Sequence, residues 1–251
     1  KNLVITANLD SPVLDLSRIS ASDGIITGAT ITWKSATSDN LELLAPNQKG
    51  ELTFSVPVRS SLTTNLKNQT VRLSASISSD EISNPTRAGD SVLNLLSGLD
   101  LDVSAAAVSG AIPMQVGQTT VIAVTMILSN LSNDLSGTQV TASLPLPSSS
   151  WNGVIIPDSE KSRLTFDSNS GKITWRIGDM AAFAGKFTPA LQATFQLAVT
   201  PTQNDSGKNM DLLRDITANA TDTFVNLLIA SDNIKTISTS DVDGLAGGTV
   251  Q

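Results

Sequence analysis

Apolar and polar residues alternate along most of this chain. In residues 30–33, 51–58, 71–77 and 193–199 every second side chain is apolar, which is the period of a pleated strand with one face turned to a core and the other to water. Residues 121–128 are apolar almost throughout, broken by Thr125, and predict a strand buried on both faces. Turn clusters punctuate these runs: Ser22-Asp23-Gly24, Pro46-Asn47-Gln48-Lys49-Gly50, Asn169-Ser170-Gly171 and Asp205-Ser206-Gly207. Many short strands at this spacing predict an all-β protein built as sandwiches. Helical periodicity is weak, and its best instances, residues 91–96 and 211–214, read equally well as strand edges. No run approaches the ~18 apolar residues that a membrane-spanning helix needs.

The pattern also repeats. Gly28-Ala29-Thr30-Ile31-Thr32-Trp33-Lys34 returns as Gly171-Lys172-Ile173-Thr174-Trp175-Arg176. Upstream, Val4-Ile5-Thr6-Ala7-Asn8-Leu9 matches Gln139-Val140-Thr141-Ala142-Ser143-Leu144, each followed by proline: Pro12 in the first case, Pro145 and Pro147 in the second. Downstream, Leu52-Thr53-Phe54-Ser55-Val56-Pro57-Val58 matches Ala193-Thr194-Phe195-Gln196-Leu197-Ala198-Val199, and Lys67-Asn68 matches Lys208-Asn209. Copies of one unit in series are the mark of an array, in which each module supplies spacing and surface. The predicted organisation is two tandem β-sandwich domains, residues 1–97 and 98–251, joined at Ser97-Gly98-Leu99. A chain of 251 residues with 40 % hydrophobic content can fill two cores.

The match begins at Val4, so the first copy has no counterpart of residues 99–138, which include the apolar run expected in mid-core. Three outcomes follow: closure by the first module's own residues 91–96, which is the expectation; strands lying upstream of this sequence; or strands from another chain. Residues 233–250, apolar at Ile234, Ile237 and Val242 but carrying Gly244, Gly247 and Gly248, read either as a donor strand or as a flexible tail. Lys1-Asn2-Leu3 lacks the layout of a secretory signal, and the sequence reads as a piece of something longer.

The second copy carries a series of motifs in a definite order: Leu99-Asp100-Leu101-Asp102-Val103, Val116-Gly117-Gln118-Thr119-Thr120-Val121, Leu128-Ser129-Asn130-Leu131-Ser132-Asn133-Asp134 and Val140-Thr141-Ala142-Ser143-Leu144-Pro145. Gly171-Lys172-Ile173-Thr174-Trp175-Arg176-Ile177-Gly178, Phe195-Gln196-Leu197 and Ala220-Thr221-Asp222-Thr223-Phe224 follow. In this order they resemble the immunoglobulin-like conserved repeat domain of bacterial cell-surface proteins. The resemblance covers residues 99–240, with residues 1–98 as a diverged relative incomplete at its amino end. Where that family usually carries a Tyr in its first core strand, this chain has Ile122-Ala123-Val124, which thins the aromatic core. The resemblance implies Ig-like sandwiches, extracellular at the cell surface, stacked in series and non-catalytic. It points to a stalk, surface-layer or filament component whose partners are neighbouring repeats or copies of the same protein, and it brings no binding residues with it.

Composition narrows the chemistry. The chain has no Cys, no His and no Tyr. Without His there is no Ser-His-Asp triad and no imidazole base or zinc ligand; without Cys there is no thiolate and no disulfide. Ser-x-x-Lys does not occur. A pair of carboxylates for glycoside hydrolysis needs an aromatic-lined cleft, and aromatic residues make up 4 % of the chain. A net charge of −7 with scattered Lys and Arg disfavours nucleic acid and anionic membrane as partners. No enzyme activity, cofactor or metal is expected, since Asp100-Leu101-Asp102 and Asp241-Val242-Asp243-Gly244 lack the distal Glu of a calcium loop. Glycosylation sequons begin at Asn68, Asn130, Asn204 and Asn219, about as many as this Asn-, Ser- and Thr-rich composition gives by chance.

Trp33 and Trp175 are expected in the cores, with Lys34 and Arg176 turned to water. Trp151-Asn152-Gly153 follows a Pro- and Ser-rich stretch and reads as an exposed loop, which makes Trp151 and Asn152 the candidate surface contact. Two functions remain open: a structural module of a surface assembly, and an adhesin-type module that recognises a glycan or protein through loops at a sandwich end. Sparse aromatics favour assembly.

Overall fold

The computed structural model describes residues 1–59, 66–232, 235–245 and 247–251, and among these the regular structure is strand with single 3-10 turns. The chain divides into two compact units, Lys1–Leu95 and Leu96–Gln251. The first contains β1 (Val4–Asp10), β2 (Ser20–Ala21), β3 (Ile25–Thr27), β4 (Thr30–Lys34), β5 (Phe54–Ser55), β6 (Thr70–Ser78), β7 (Thr86–Arg87) and β8 (Ser91–Asn94). The second contains β9 (Leu99–Ser109), β10 (Thr120–Asn130), β11 (Leu135–Ser143), β12 (Ser149–Ile156), β13 (Leu164–Asp167) and β14 (Lys172–Met180). It continues with β15 (Leu191–Val199), β16 (Asp211–Asp222), β17 (Leu227–Ala230), β18 (Lys235–Ser238) and β19 (Val242–Asp243). Both short helical candidates of the sequence are strand: residues 91–96 contribute β8, and residues 211–214 open β16.

The second unit is a sandwich of two sheets, in order β12-β15-β10-β9-β19 and β13-β14-β11-β16-β17, with β18 also paired to β16. Its pairings are antiparallel except for β19, which runs parallel to β9. Ile122, Val124, Met126 and Leu128 of β10 and Phe195 and Leu197 of β15 meet Val140, Ala142, Ile173, Trp175, Ile216 and Ala218 of the facing sheet in one apolar core. β10 departs from the expectation of burial on both faces: its alternate residues Val121, Ala123, Thr125 and Ile127 are only half-buried. They are covered by their cross-strand neighbours on β9 and β15, as in the Thr125–Thr194 hydroxyl pair at 2.8 Å, and by no third layer.

The same plan recurs in the first unit. Its large sheet runs β3-β4-β1-β6-β7 with β8 also on β6, strand for strand the order of β13-β14-β11-β16-β17 with β18 on β16. Register agrees as well as order. Ile5 pairs with Trp33 and Ala7 with Ile31; Val140 pairs with Trp175 and Ala142 with Ile173. On the other edge Ile5 pairs with Ile77, and Val140 with Ala218. The two indoles therefore hold the same place in two copies of one sheet. Because a slip of one residue turns every side chain to the opposite face, shared register is a stronger sign of duplication than shared motifs.

The facing layers differ. Against the five strands β12-β15-β10-β9-β19, the first unit sets the two-stranded sheet β2-β5. Residues 91–96 do not close it: β8 extends the large sheet along β6, as β18 does along β16, and adds nothing to the opposite layer. The described part of residues 233–250, 235–245 and 247–250, does not fill the gap either and is no loose tail. Within them β18 and β19 belong to the second unit, and Val250 and Gln251 are tied by backbone bonds to Gly207, Lys208, Met114 and Val116. Asn233, Ile234 and Ala246 lie outside the described residues.

One glycine is required where β9 leads into β10. Gly110 has φ of 109°, and a Cβ there would lie 2.4 Å from the carbonyl oxygen of Thr119. Gly110→Ala is expected to destabilise the second unit by more than about 1 kcal/mol, read as a lowered urea midpoint with unchanged slope.

Candidate functional site

Two of the motifs that carry the family resemblance, residues 128–134 and 220–224, meet the start of β9 at one pole of the second unit. Asp222, at the end of β16, is fully buried, as are Asn130 at the end of β10 and Asn133 in the connection to β11. One Asp222 oxygen accepts from the backbone N–H of Ser97 at 2.7 Å and from Nδ2 of Asn133 at 2.8 Å. The other accepts from the backbone N–H groups of Phe224 at 2.9 Å and Val225 at 3.2 Å. Ser97 Oγ donates to Asn130 Oδ1 and accepts from the N–H groups of Ser132 and Asn133. Asn130 Nδ2 reaches the carbonyls of Asn133 and Ala181.

The result is a buried polar clasp that ties the start of β9, the β10–β11 connection and the end of β16 together. Every donor named is spent inside the protein, so the clasp organises the module and offers nothing to a substrate. It also removes one glycosylation candidate, because Asn130 Nδ2 is buried and doubly engaged. The sequence marked three of these segments as motifs but treated Ser97 as linker; its role depends on a partner 125 positions away.

Both core tryptophans satisfy their indole N–H locally. Trp175 Nε1 donates to Glu160 Oε2 at 2.8 Å, and Trp33 Nε1 to the carbonyl of Ser22 at 2.9 Å. Glu160, itself buried, is met by Arg163 at 3.4 Å. Trp151 does not lie in an exposed loop. It sits in β12, half-buried, stacked on Phe166 with centroids 5.4 Å apart and on Phe195 at 5.1 Å. The stretch that read as a loop is strand because Trp151 pairs with Leu197 of β15. Asn152 is exposed and donates to Gln196 Oε1 at 3.1 Å along the same edge.

A polar cleft of about 410 Å³ in the second unit is lined by Ser148, Ser149, Asp205, Lys208, Asp211 and Arg214 among others. Its charges are engaged with one another or with backbone: Lys208 with the Asn204 carbonyl, Arg214 with Asp211, Asp205 with Thr202. Among the described residues no three acidic side chains gather as a metal site. Asp241 is a cap, accepting from Ser238 N–H and Oγ, and Asp102 lies 3.8 Å from Lys235 Nζ.

The capping acids set an acid limit. The hydroxyl of Thr202 holds the Asp205 carboxyl below the usual carboxylate range, and the backbone N–H of Ser238 does the same for Asp241. A lowered folded-state pKa contributes stability above about pH 4 that is lost as pH falls through the lowered value. The Asp205→Asn/Asp241→Asn double variant is therefore expected to lose less stability than the parent between about pH 5 and about pH 2, measured by urea titration at each pH.

No protein-family model matches this sequence, and no curated protein is similar to it. Among solved structures it is similar to a variant of BcpA, the major pilin subunit of Bacillus cereus, with 10 % identity and a TM-score of 0.39 over 95 % of this chain and 64 % of that one. It is also similar to the full-length major pilin SpaD from Corynebacterium diphtheriae, with 7 % identity and a TM-score of 0.34 over 94 % of this chain and 58 % of that one. The chain thus spans less than two thirds of either pilin's length. Likenesses this distant do not decide a function.

Proposed function

We propose that this chain is a non-catalytic structural segment of a bacterial cell-surface protein, two sandwich modules in series that contribute length and surface to an extracellular stalk, layer or filament. The observation that carries the reading is the repetition of one sheet, with strand order and register both kept around Trp33 and Trp175. A scaffold that recurs along one chain fits an array, in which each module supplies spacing and surface. The order of motifs from Leu99 to Phe224 supports the surface location, and the use of residues 128–134 and 220–224 in an internal clasp supports a structural rather than catalytic use. Trp151, the aromatic best placed in the sequence to anchor a ligand, is stacked on Phe166 and on Phe195, which favours the structural reading over the adhesin one.

The experiment is surface labelling. Antibodies raised against residues 1–251 are expected to stain intact cells of the source organism, and external protease is expected to remove the epitope. Staining confined to permeabilised cells overturns the reading.

A further inference from the structure

The first unit has an open face, defined by what covers the same face in the second. Among the described residues β5 is paired along one edge, by β2, whereas its counterpart β15 is paired along both, by β12 and β10. On the large sheet Ile77 lies opposite Ile5 and is 39 % exposed; Ala218, in the same place opposite Val140, is 0 % exposed. Phe54 is half-buried where Phe195 is sealed. Leu93 on β8, opposite Val71 on β6, is 68 % exposed. Leu3, Ile5 and Ile77 line an open cleft of about 560 Å³ together with Leu41, Leu44 and Leu52, and polar side chains such as Asp23, Asn40, Lys49 and Glu51 form the rest of its wall. A cleft with apolar seats at Leu3, Ile5 and Ile77, in the unit whose strand β5 keeps an edge open among the described residues, meets both needs of strand addition, backbone partners and seats for alternate side chains.

We propose that this face is a strand-acceptor site, and that its occupant is a β-hairpin of the β9–β10 kind supplied in series from the amino-terminal side of β1. In the second unit that hairpin is seated on the corresponding surface, β10 lying along β15 from Thr120↔Val199 to Leu128↔Leu191. Its inward positions, Ile122, Val124, Met126 and Leu128, are the buried side chains that the cleft lacks. Four residues, 131–134, join β10 to β11, so the hairpin reaches its site from the amino side of the strand that corresponds to β1. A second copy of this chain has no hairpin to spare, since its β9–β10 fills its own core and its β19 is bound to β9. The proposal rests on the array reading in one respect, that the hairpin belongs to a neighbouring repeat.

The test duplicates residues 98–134 ahead of Lys1 and compares hydrogen exchange at residues 54–56 with that of the unmodified chain. At least about tenfold slower exchange is expected in the duplicated chain, with a monomeric mass at all concentrations. Val124→Asp and Met126→Asp in the duplicated copy are expected to abolish the protection. A second arm adds a synthetic peptide of residues 98–131 to the unmodified chain and reads the same amides. Slowing in either arm supports the site, and unchanged exchange in both overturns it. The site also falls if the unmodified chain already protects these amides as a dimer, because a second copy then covers the face. Surface labelling is a separate readout, so failure of one reading is not failure of the other.

Discussion

Asp222→Ala is expected to lower the stability of the second unit by about 3–5 kcal/mol. The substitution removes one carboxylate and strands the Ser97, Phe224 and Val225 N–H groups and the Asn133 amide in a site from which water is excluded. Asp222→Asn separates charge from geometry. An amide keeps one acceptor oxygen but turns an NH₂ toward two donors, so it is expected to cost nearly as much as alanine. Urea denaturation followed by tryptophan emission measures both, and a Trp33→Phe background leaves Trp151 and Trp175 reporting on the second unit alone. A loss below about 1 kcal/mol for both variants shows that the clasp does not hold the module together.

Trp175→Ala carries the other large effect, about 3–5 kcal/mol, because it empties a fully enclosed core site between two sheets and deprives buried Glu160 of its indole donor. Trp175→Phe keeps much of the volume and loses the hydrogen bond, and is expected to cost about 1–3 kcal/mol. Trp33→Ala should cost less than Trp175→Ala, although the two indoles occupy one place in the repeat. The first unit's fully buried cluster is small and bordered by half-buried Ile5, Phe54, Val56 and Leu73, so its site can relax toward solvent where the second cannot. Equal losses from the two substitutions would show that the first core is as tightly enclosed as the second.

The alternating runs around Trp33 and Trp175, the turn clusters between them and the matched segments upstream and downstream make the all-β class and the shared strand order of the two large sheets readable, because period two and turn residues are local properties of the chain. The absence of His and Cys was equally plain and removed whole reaction classes. The missing portion of the first copy was visible too, as a match that starts at Val4. What covers that face was not readable. Residues 91–96 carry strand-like alternation, yet whether they close the gap or extend the large sheet depends on which of the two layers they join. Trp151 was misplaced for a similar reason: proline and serine nearby suggest a loop, while pairing with β15 and stacking on Phe166 and Phe195 make it strand. The clasp was likewise hidden, since Ser97, Asn130, Asn133 and Asp222 are ordinary polar residues until the fold gathers them. Strand identity and repetition were set by neighbouring side chains and belong to the sequence; partners across the sandwich were set by packing between segments distant in the chain, and tertiary structure alone decided them.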